Sequence, residues 1–140
     1  MITPAYVRAM AEHNAEMNCR LYTARTGSAT PSGRDRGAFI LSLHGTLAQI
    51  MWGDARWMSL FDGWQPPLTP ITESDHYIED WSELCVARKK ADIKCRAAKV
   101  DDAWLNGDLT WFSLAAEREV TAPKRLLVTH FFNHQTDHRG

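Results

Sequence analysis

The sequence predicts an all-α fold, and specifically an up-down bundle of four helices. Apolar residues recur at helical spacing in four stretches, and segments rich in Gly, Ser, Thr or Pro separate these stretches. The chain has 140 residues, enough for one hydrophobic core, so we expect residues 1–140 to form a single helical-bundle domain. Bundles commonly hold metal ions between side chains of facing helices, so the placement of the histidines bears on function.

The first two predicted helices flank a loop. The first helix runs from residue 4 to about residue 24, with Thr3 as a candidate N-cap and a first-turn proline at Pro4. Composition identifies residues 26–37 as a loop, and the second helix follows from about residue 35 to residue 62. One strip of the second helix is small and polar, which makes it a candidate wall of a ligand site: Ser42, Thr46, Gln49 and Gly53.

The second half of the chain is less regular. Gly63 and three prolines break the helical pattern, and a third helix is predicted from residue 74 to about residue 99. Residues 101–107 have the composition of a turn. Residues 108–122 fit either short extended pieces, suggested by Leu109, Trp111 and Val120, or a helical turn over residues 114–119. Pro123 then precedes the fourth helix in a favourable first-turn position.

Composition and charge argue against two classes of partner. The formal net charge is −1 and Lys and Arg form no stripe, so we expect no nucleic-acid partner. No apolar run approaches the ~20 residues that span a bilayer, and no signal peptide is recognisable, so we expect no membrane partner. The three cysteines, Cys19, Cys85 and Cys95, contain no CxxC pair, which predicts reduced thiols in a cytoplasmic protein.

The last segment, LLVTHFFNHQTDHRG, carries the main chemical signal. His130, His134 and His138 are four residues apart, so a helix places them on one face. Two imidazoles at this spacing can bind one metal ion. The segment differs from the zinc-protease motif, because Gln135 follows His134 where a protease needs Glu. The alternative is a polar face with partly solvated histidines, but three in register on an apolar, aromatic segment favour a metal.

Asp54 falls on the apolar side of the second helix, where a carboxylate needs a partner or a wet cleft. Two roles remain open for it. It either orients a ligand imidazole across the bundle, or it forms a buried salt bridge with Arg56 or another cation.

Three segments also carry a family resemblance: AEHNAEMNCRLY, SLHGTLAQIMWGDARWM and HFFNHQTDHRG. In that order they resemble the DinB-like (DNA-damage-inducible) metal-binding four-helix family, over nearly the whole chain. The resemblance implies an up-down bundle with an unusual long connection and a bound divalent metal ion, often Zn or Ni. It also implies that the ligands are one histidine from the second helix and the two from the last motif.

Carried over residue by residue, the resemblance assigns His134 and His138 as metal ligands. The position eight before Trp57, where the family has histidine, is Gln49 in this chain. His44 lies five residues earlier and about 140° around the helix from Gln49. Either Gln49 is a poor ligand or none, which leaves a weak or empty site, or an offset helix lets His44 complete the site. Motif register favours the first interpretation.

Two further residues of the last segment are not expected to be ligands. His130 is expected to pack beside the site or support it, and Asp137 to be solvated or to cap the helix. Relatives of the family continue their last helix beyond His-Arg-Gly, so that helix is expected to be cut short here at Gly140.

The resemblance implies two functions that stay open. One is a metal-dependent transferase or related enzyme that uses a low-molecular-weight thiol, with catalytic residues unassigned. The other is a non-catalytic, homodimeric bundle with a degenerate metal site, for which the missing histidine is the main argument. Four tryptophans are candidates for a dimer face, although core packing is their more common use: Trp52, Trp57, Trp64 and Trp81.

Overall fold

The computed structural model describes residues 2–26, 34–91, 93–113 and 116–139, and the side chains of residues 26, 34–40, 95, 138 and 139 lie outside the described set. The described chain is mostly helical, with one small two-stranded sheet. Three long helices agree with the sequence prediction: α1 (Pro4–Thr26), α2 (Arg34–Asp62) and α6 (Lys124–Arg139). The predicted loop falls largely on residues 27–33, which lie outside the described residues.

The predicted third helix is wrong as one continuous element. In its place are a 3-10 helix (Ile71–His76), α3 (Trp81–Lys90) and α4 (Ile93–Ala97). Asp80 begins α3 as its N-cap, since its Oδ2 accepts a hydrogen bond of 2.9 Å from the amide of Glu83. Ala91, with φ −80° and ψ 63°, ends α3. Helical spacing of apolar residues continues across these breaks, so periodicity alone does not locate them.

The segment before α6 folds into a short helix and a hairpin. Asp101 caps α5 (Asp102–Leu105), and strand β1 (Asp108–Ser113) pairs antiparallel with β2 (Arg118–Pro123). Trp111 lies opposite Val120, so the extended pieces predicted there are confirmed. The alternative helical turn over residues 114–119 is wrong in its described part, because residues 118 and 119 belong to β2.

Helix directions differ from a strict up-down order. Helix α1 runs parallel to α6, since Ile2 is bonded to Arg125 and Asn14 to Gln135. Helix α2 runs antiparallel to α6, because Trp57 packs on His130 while Gly53, four residues earlier, meets His134. The first two helices are therefore antiparallel, as the up-down prediction has it. The last helix of such a bundle would run antiparallel to the first helix and parallel to the second, so the prediction is wrong for the direction of α6.

Helix α3 runs parallel to α2, which the up-down prediction did not include. His44 lies 2.8 Å from the carbonyl of Ile78, just before α3, and Asp54 pairs with Arg88, each ten residues further along the chain. The connection over residues 63–80 therefore runs back along α2 from its end to the level of His44, about 27 Å at the helical rise. Apolar periodicity carries no information on helix direction, so the sequence could not fix this order.

The buried apolar side chains form two clusters. The first joins α1, α4, α5 and α6: Val7, Ala11, Ala97, Leu105, Val128, Phe131 and Phe132. The second joins α2 and α3 and includes the residue after α3: Leu47, Ala48, Met51, Leu84 and Ala91. None of the described helices is long and apolar enough to cross a membrane.

Candidate functional site

The helices α2 and α6 approach each other closely at Gly53. A Cβ atom at this position would lie 3.0 Å from Cε1 and 3.4 Å from Nδ1 of His134. Only a residue without a side chain lets the half-buried imidazole of His134 approach the helix this closely. One turn away, the Trp57 and His130 rings meet edge to face with centroids 5.6 Å apart.

The same register relates the other predicted ligands. Trp57 is level with His130 and Gly53 with His134, so one further turn along the antiparallel pair brings position 49 level with position 138. Gln49 and the backbone of His138 thus belong to the same level of the α2–α6 pair. The side chain of His138 lies outside the described residues.

Among the described side chains, no group of three His, Cys, Asp or Glu residues is placed to hold a metal ion. The predicted site falls outside this statement, because Gln49 is an amide and the imidazole of His138 is outside the described set. The predicted ligand set therefore stays a prediction.

His44 lies in a different environment from the other predicted ligands. Its Nε2 is 2.8 Å from the carbonyl oxygen of Ile78, and its ring packs against Trp81 with centroids 5.9 Å apart. Both contacts belong to the start of α3, whereas His134 lies on the α6 side of α2 at Gly53. The structure thus places Gln49 level with position 138 of the last helix, whereas His44 contacts residues at and just before the start of α3.

A buried polar network crosses the molecule beside this site. The Asn14 amide donates to Oε1 of Gln135, and Nε2 of Gln135 donates to Oδ1 of Asp54, each over 2.5 Å. The other Asp54 oxygen pairs with Arg88 over 2.7 Å. Because an ionised carboxylate only accepts hydrogen bonds, the NH2 group of the Gln135 amide is the end that faces Asp54. The network links α1, α6, α2 and α3 through side chains alone.

This network resolves the open question about Asp54. The expected buried salt bridge is confirmed, with Arg88 rather than Arg56 as the cation, and only 2% of the Asp54 side chain is exposed. The sequence pointed to such a cation only through the need of the Asp54 carboxylate for a partner. Gln135 was noted as the residue that excludes a protease motif, and its structural role was missed.

Other residues singled out from the sequence have simpler surroundings. His130 is exposed and packs on Trp57, and Asp137 is exposed, as expected for both. The candidate dimer-face tryptophans are all half-buried within the chain. Trp52 donates a hydrogen bond to the Thr69 carbonyl, and Trp81 stacks on Tyr22.

Comparison with known proteins identifies a family. Neither a curated protein nor a solved structure matches the chain. The family model described as "DinB family" matches residues 3–140. Because this match covers nearly the whole chain, including α1, α2 and the histidine-bearing α6, the chain belongs to the DinB family.

Proposed function

We propose that this DinB-family chain binds one divalent metal ion between α2 and α6, through His134 and His138 with Gln49 at the third position. The observation that carries the proposal is the contact of Gly53 with His134, where a Cβ would lie 3.0 Å from the imidazole. This contact fixes the helix register that brings Gln49 level with position 138. The framework we propose is the four-helix bundle of the family, with α3 and α4 together in place of its third helix.

The donor set determines which ion fits and how tightly. Imidazoles suit zinc and nickel, whereas the amide oxygen of Gln49 suits harder ions and binds these metals weakly. Catalytic zinc sites usually have three protein ligands and one open position. Two imidazoles and a neutral amide therefore fit a zinc or nickel ion held with reduced affinity.

A bound ion would supply activation of a low-molecular-weight thiol, whose pKa it would lower. The residues of the chain would position the reactants. Gly53 lets the His134 imidazole approach α2 closely, and the bond between Gln135 and Asp54 holds α6 in register on α2. We therefore propose a metal- and thiol-dependent transferase or related enzyme, acting in the reducing cytoplasm where such thiols are available.

The test is metal affinity in protein purified without a His-tag or chelating column. Zinc and nickel binding is measured by competition with a chromophoric chelator, with elemental analysis of the wild type and variants. We expect His134→Ala to lose the metal, and Gln49→His to bind at least about tenfold tighter than the wild type, since a third imidazole replaces an amide. His44→Ala serves as the matched control on α2 and is expected to bind like the wild type.

The other outcomes are equally informative. Loss of metal in His44→Ala, with no gain in Gln49→His, would favour the offset helix in which His44 is the third ligand. Equal affinities in the wild type, His134→Ala and Gln49→His would contradict a metal site between α2 and α6.

Gln49 itself favours a second candidate, a non-catalytic homodimeric bundle with a degenerate metal site. Thiol-transfer assays on metal-loaded wild type and Gln49→His separate the two candidates. Activity in both favours the enzyme. Metal-loaded Gln49→His without any transfer, together with a dimer in sedimentation equilibrium, favours the non-catalytic protein.

A further inference from the structure

A cavity lies within the first apolar cluster, where α1, α2, α4, α5 and α6 meet. Its volume is about 190 Å³. Neither His134 nor Gln49 lines it, and Met58, the lining residue of α2 nearest to Gln49 in the chain, is about 14 Å further along at the helical rise. The cavity is therefore separate from the proposed metal site, and a ligand bound in it would go beyond the proposed function.

The interior walls of the cavity are apolar. Ten of its thirteen lining residues carry apolar side chains, and the three charged ones are exposed: Asp62, Arg96 and Lys99. Arg96 already has a counter-charge, because its Nε lies 3.1 Å from Oδ2 of Asp62. The charges thus lie on the solvent side, and the interior offers no side-chain partner to an ionic group or to a water molecule.

Aromatic rings form a large part of these walls. The Phe61 ring meets Trp104 at 71° with centroids 5.8 Å apart, and it meets Phe131 at 87° with centroids 6.0 Å apart. These are edge-to-face arrangements, which aromatic pairs prefer. All three rings line the cavity, so a guest ring can add further contacts of the same kind.

The size of the cavity limits the guest to a single ring. Interiors are normally filled by side chains, and unfilled apolar space costs stability. An apolar cavity of about 150 Å³ stays dry and accommodates benzene, whereas sites for drug-sized ligands span about 300–1,000 Å³. A volume of about 190 Å³ therefore fits one ring with a small substituent.

We propose that this cavity binds an uncharged molecule with one aromatic ring, held by burial of its apolar surface and by contacts with Phe61, Trp104 and Phe131. The binding requires no metal ion. Apolar walls, aromatic rings and a matching volume together carry the inference.

The experiment uses toluene as the probe, by isothermal titration calorimetry in the presence of EDTA. Benzoate keeps the ring but adds a charge, so it should bind at least about tenfold more weakly, because its carboxylate would lose hydration without gaining a partner. Methylcyclohexane has nearly the size of toluene without a π system and should bind about threefold more weakly. Its affinity is measured by competition with toluene.

Variants that fill the cavity locate the binding. Ala97 is buried and lines the cavity, so Ala97→Leu should weaken toluene binding at least about tenfold. Ala98→Leu is the matched control, since Ala98 is exposed and does not line the cavity. Val7→Ile adds one methylene to another lining residue and should weaken binding about threefold, which keeps the test valid if Ala97→Leu does not fold.

A second measurement is the unfolding midpoint in urea. Saturating toluene should raise it in the wild type and in Ala98→Leu, but not in Ala97→Leu, because a ligand stabilises only the folded state that binds it.

Three results would overturn the proposal. They are no binding of toluene by the wild type, equal affinity for toluene and for either comparison compound, and unchanged toluene binding in the folded cavity-filling variants. Because EDTA removes metal throughout, these results are independent of whether the proposed metal site exists.

Discussion

His134 and Gln135 are neighbours in the chain, yet they meet two differently built surfaces. His134 lies against Gly53, where its imidazole occupies the space that a side chain of α2 would take. Gln135 is 2% exposed, and both ends of its amide are bonded, to Asn14 and to Asp54. One residue thus packs on bare helix backbone, while the next is hydrogen-bonded to two other helices. Adjacent polar residues can therefore differ in role because a helix turns them to different partners.

The largest effect is expected from breaking the network on the Gln135 side. Asp54→Ala leaves Arg88, with 13% of its side chain exposed, without its counter-charge, and leaves the Gln135 amide without an acceptor. Loss of one partner of a buried ion pair costs about 3–5 kcal/mol of unfolding free energy. Urea denaturation followed by circular dichroism measures the change.

Two controls test this explanation. Glu16→Ala removes an exposed ion pair with Arg20 and is expected to cost less than about 1 kcal/mol. The double variant Asp54→Leu/Arg88→Met removes both buried charges, so it should recover most of the stability lost in Asp54→Ala. A loss as small in Asp54→Ala as in Glu16→Ala would contradict a buried, stabilising network.

A smaller effect is expected on the His134 side. Gly53→Val places side-chain atoms where the imidazole of His134 lies, and overpacking of this kind costs about 1–3 kcal/mol. For the smaller change Gly→Ala, helix propensity alone predicts a gain of up to about 1 kcal/mol in unfolding free energy in a helix interior. Urea denaturation measures the unfolding free energies of Gly53→Val and Gly53→Ala.

Gly45→Ala is the matched control on the same helix. A Cβ there would meet Asp75 at an ordinary 3.7 Å, so the variant should gain stability, whereas Gly53→Ala should gain little or none. Equal gains at the two glycines would show that the space beside His134 is not constrained.

The smallest effect concerns His130. His130→Ala removes an edge-to-face contact with Trp57 and is expected to cost about 0.5–1.5 kcal/mol, without changing metal affinity. Chemical denaturation and the chelator competition together check this expectation. A loss of metal comparable to that of His134→Ala would make His130 a ligand. The proposed site would then contain three histidines of α6.

The local elements were largely predictable from the sequence, and their connections were not. Spacing of apolar residues located α1, α2 and α6, since burial of one helix face imposes that spacing. The break of the third helix at Ala91 and the parallel course of α2 and α3 were missed. A single residue's dihedral angles and the direction of a connection leave no trace in the spacing of apolar residues.

The sequence by itself determined the family, the long helices and the chemical types of the candidate site residues: histidines four apart on the last helix, and Gln49 on α2. Only the tertiary structure decided that Arg88 is the partner of Asp54, and that His44 lies against α3 and Gly53 against His134. The reason is physical. Composition and spacing specify which side of a helix is buried, whereas partners far apart in the chain depend on how the helices cross and in which register.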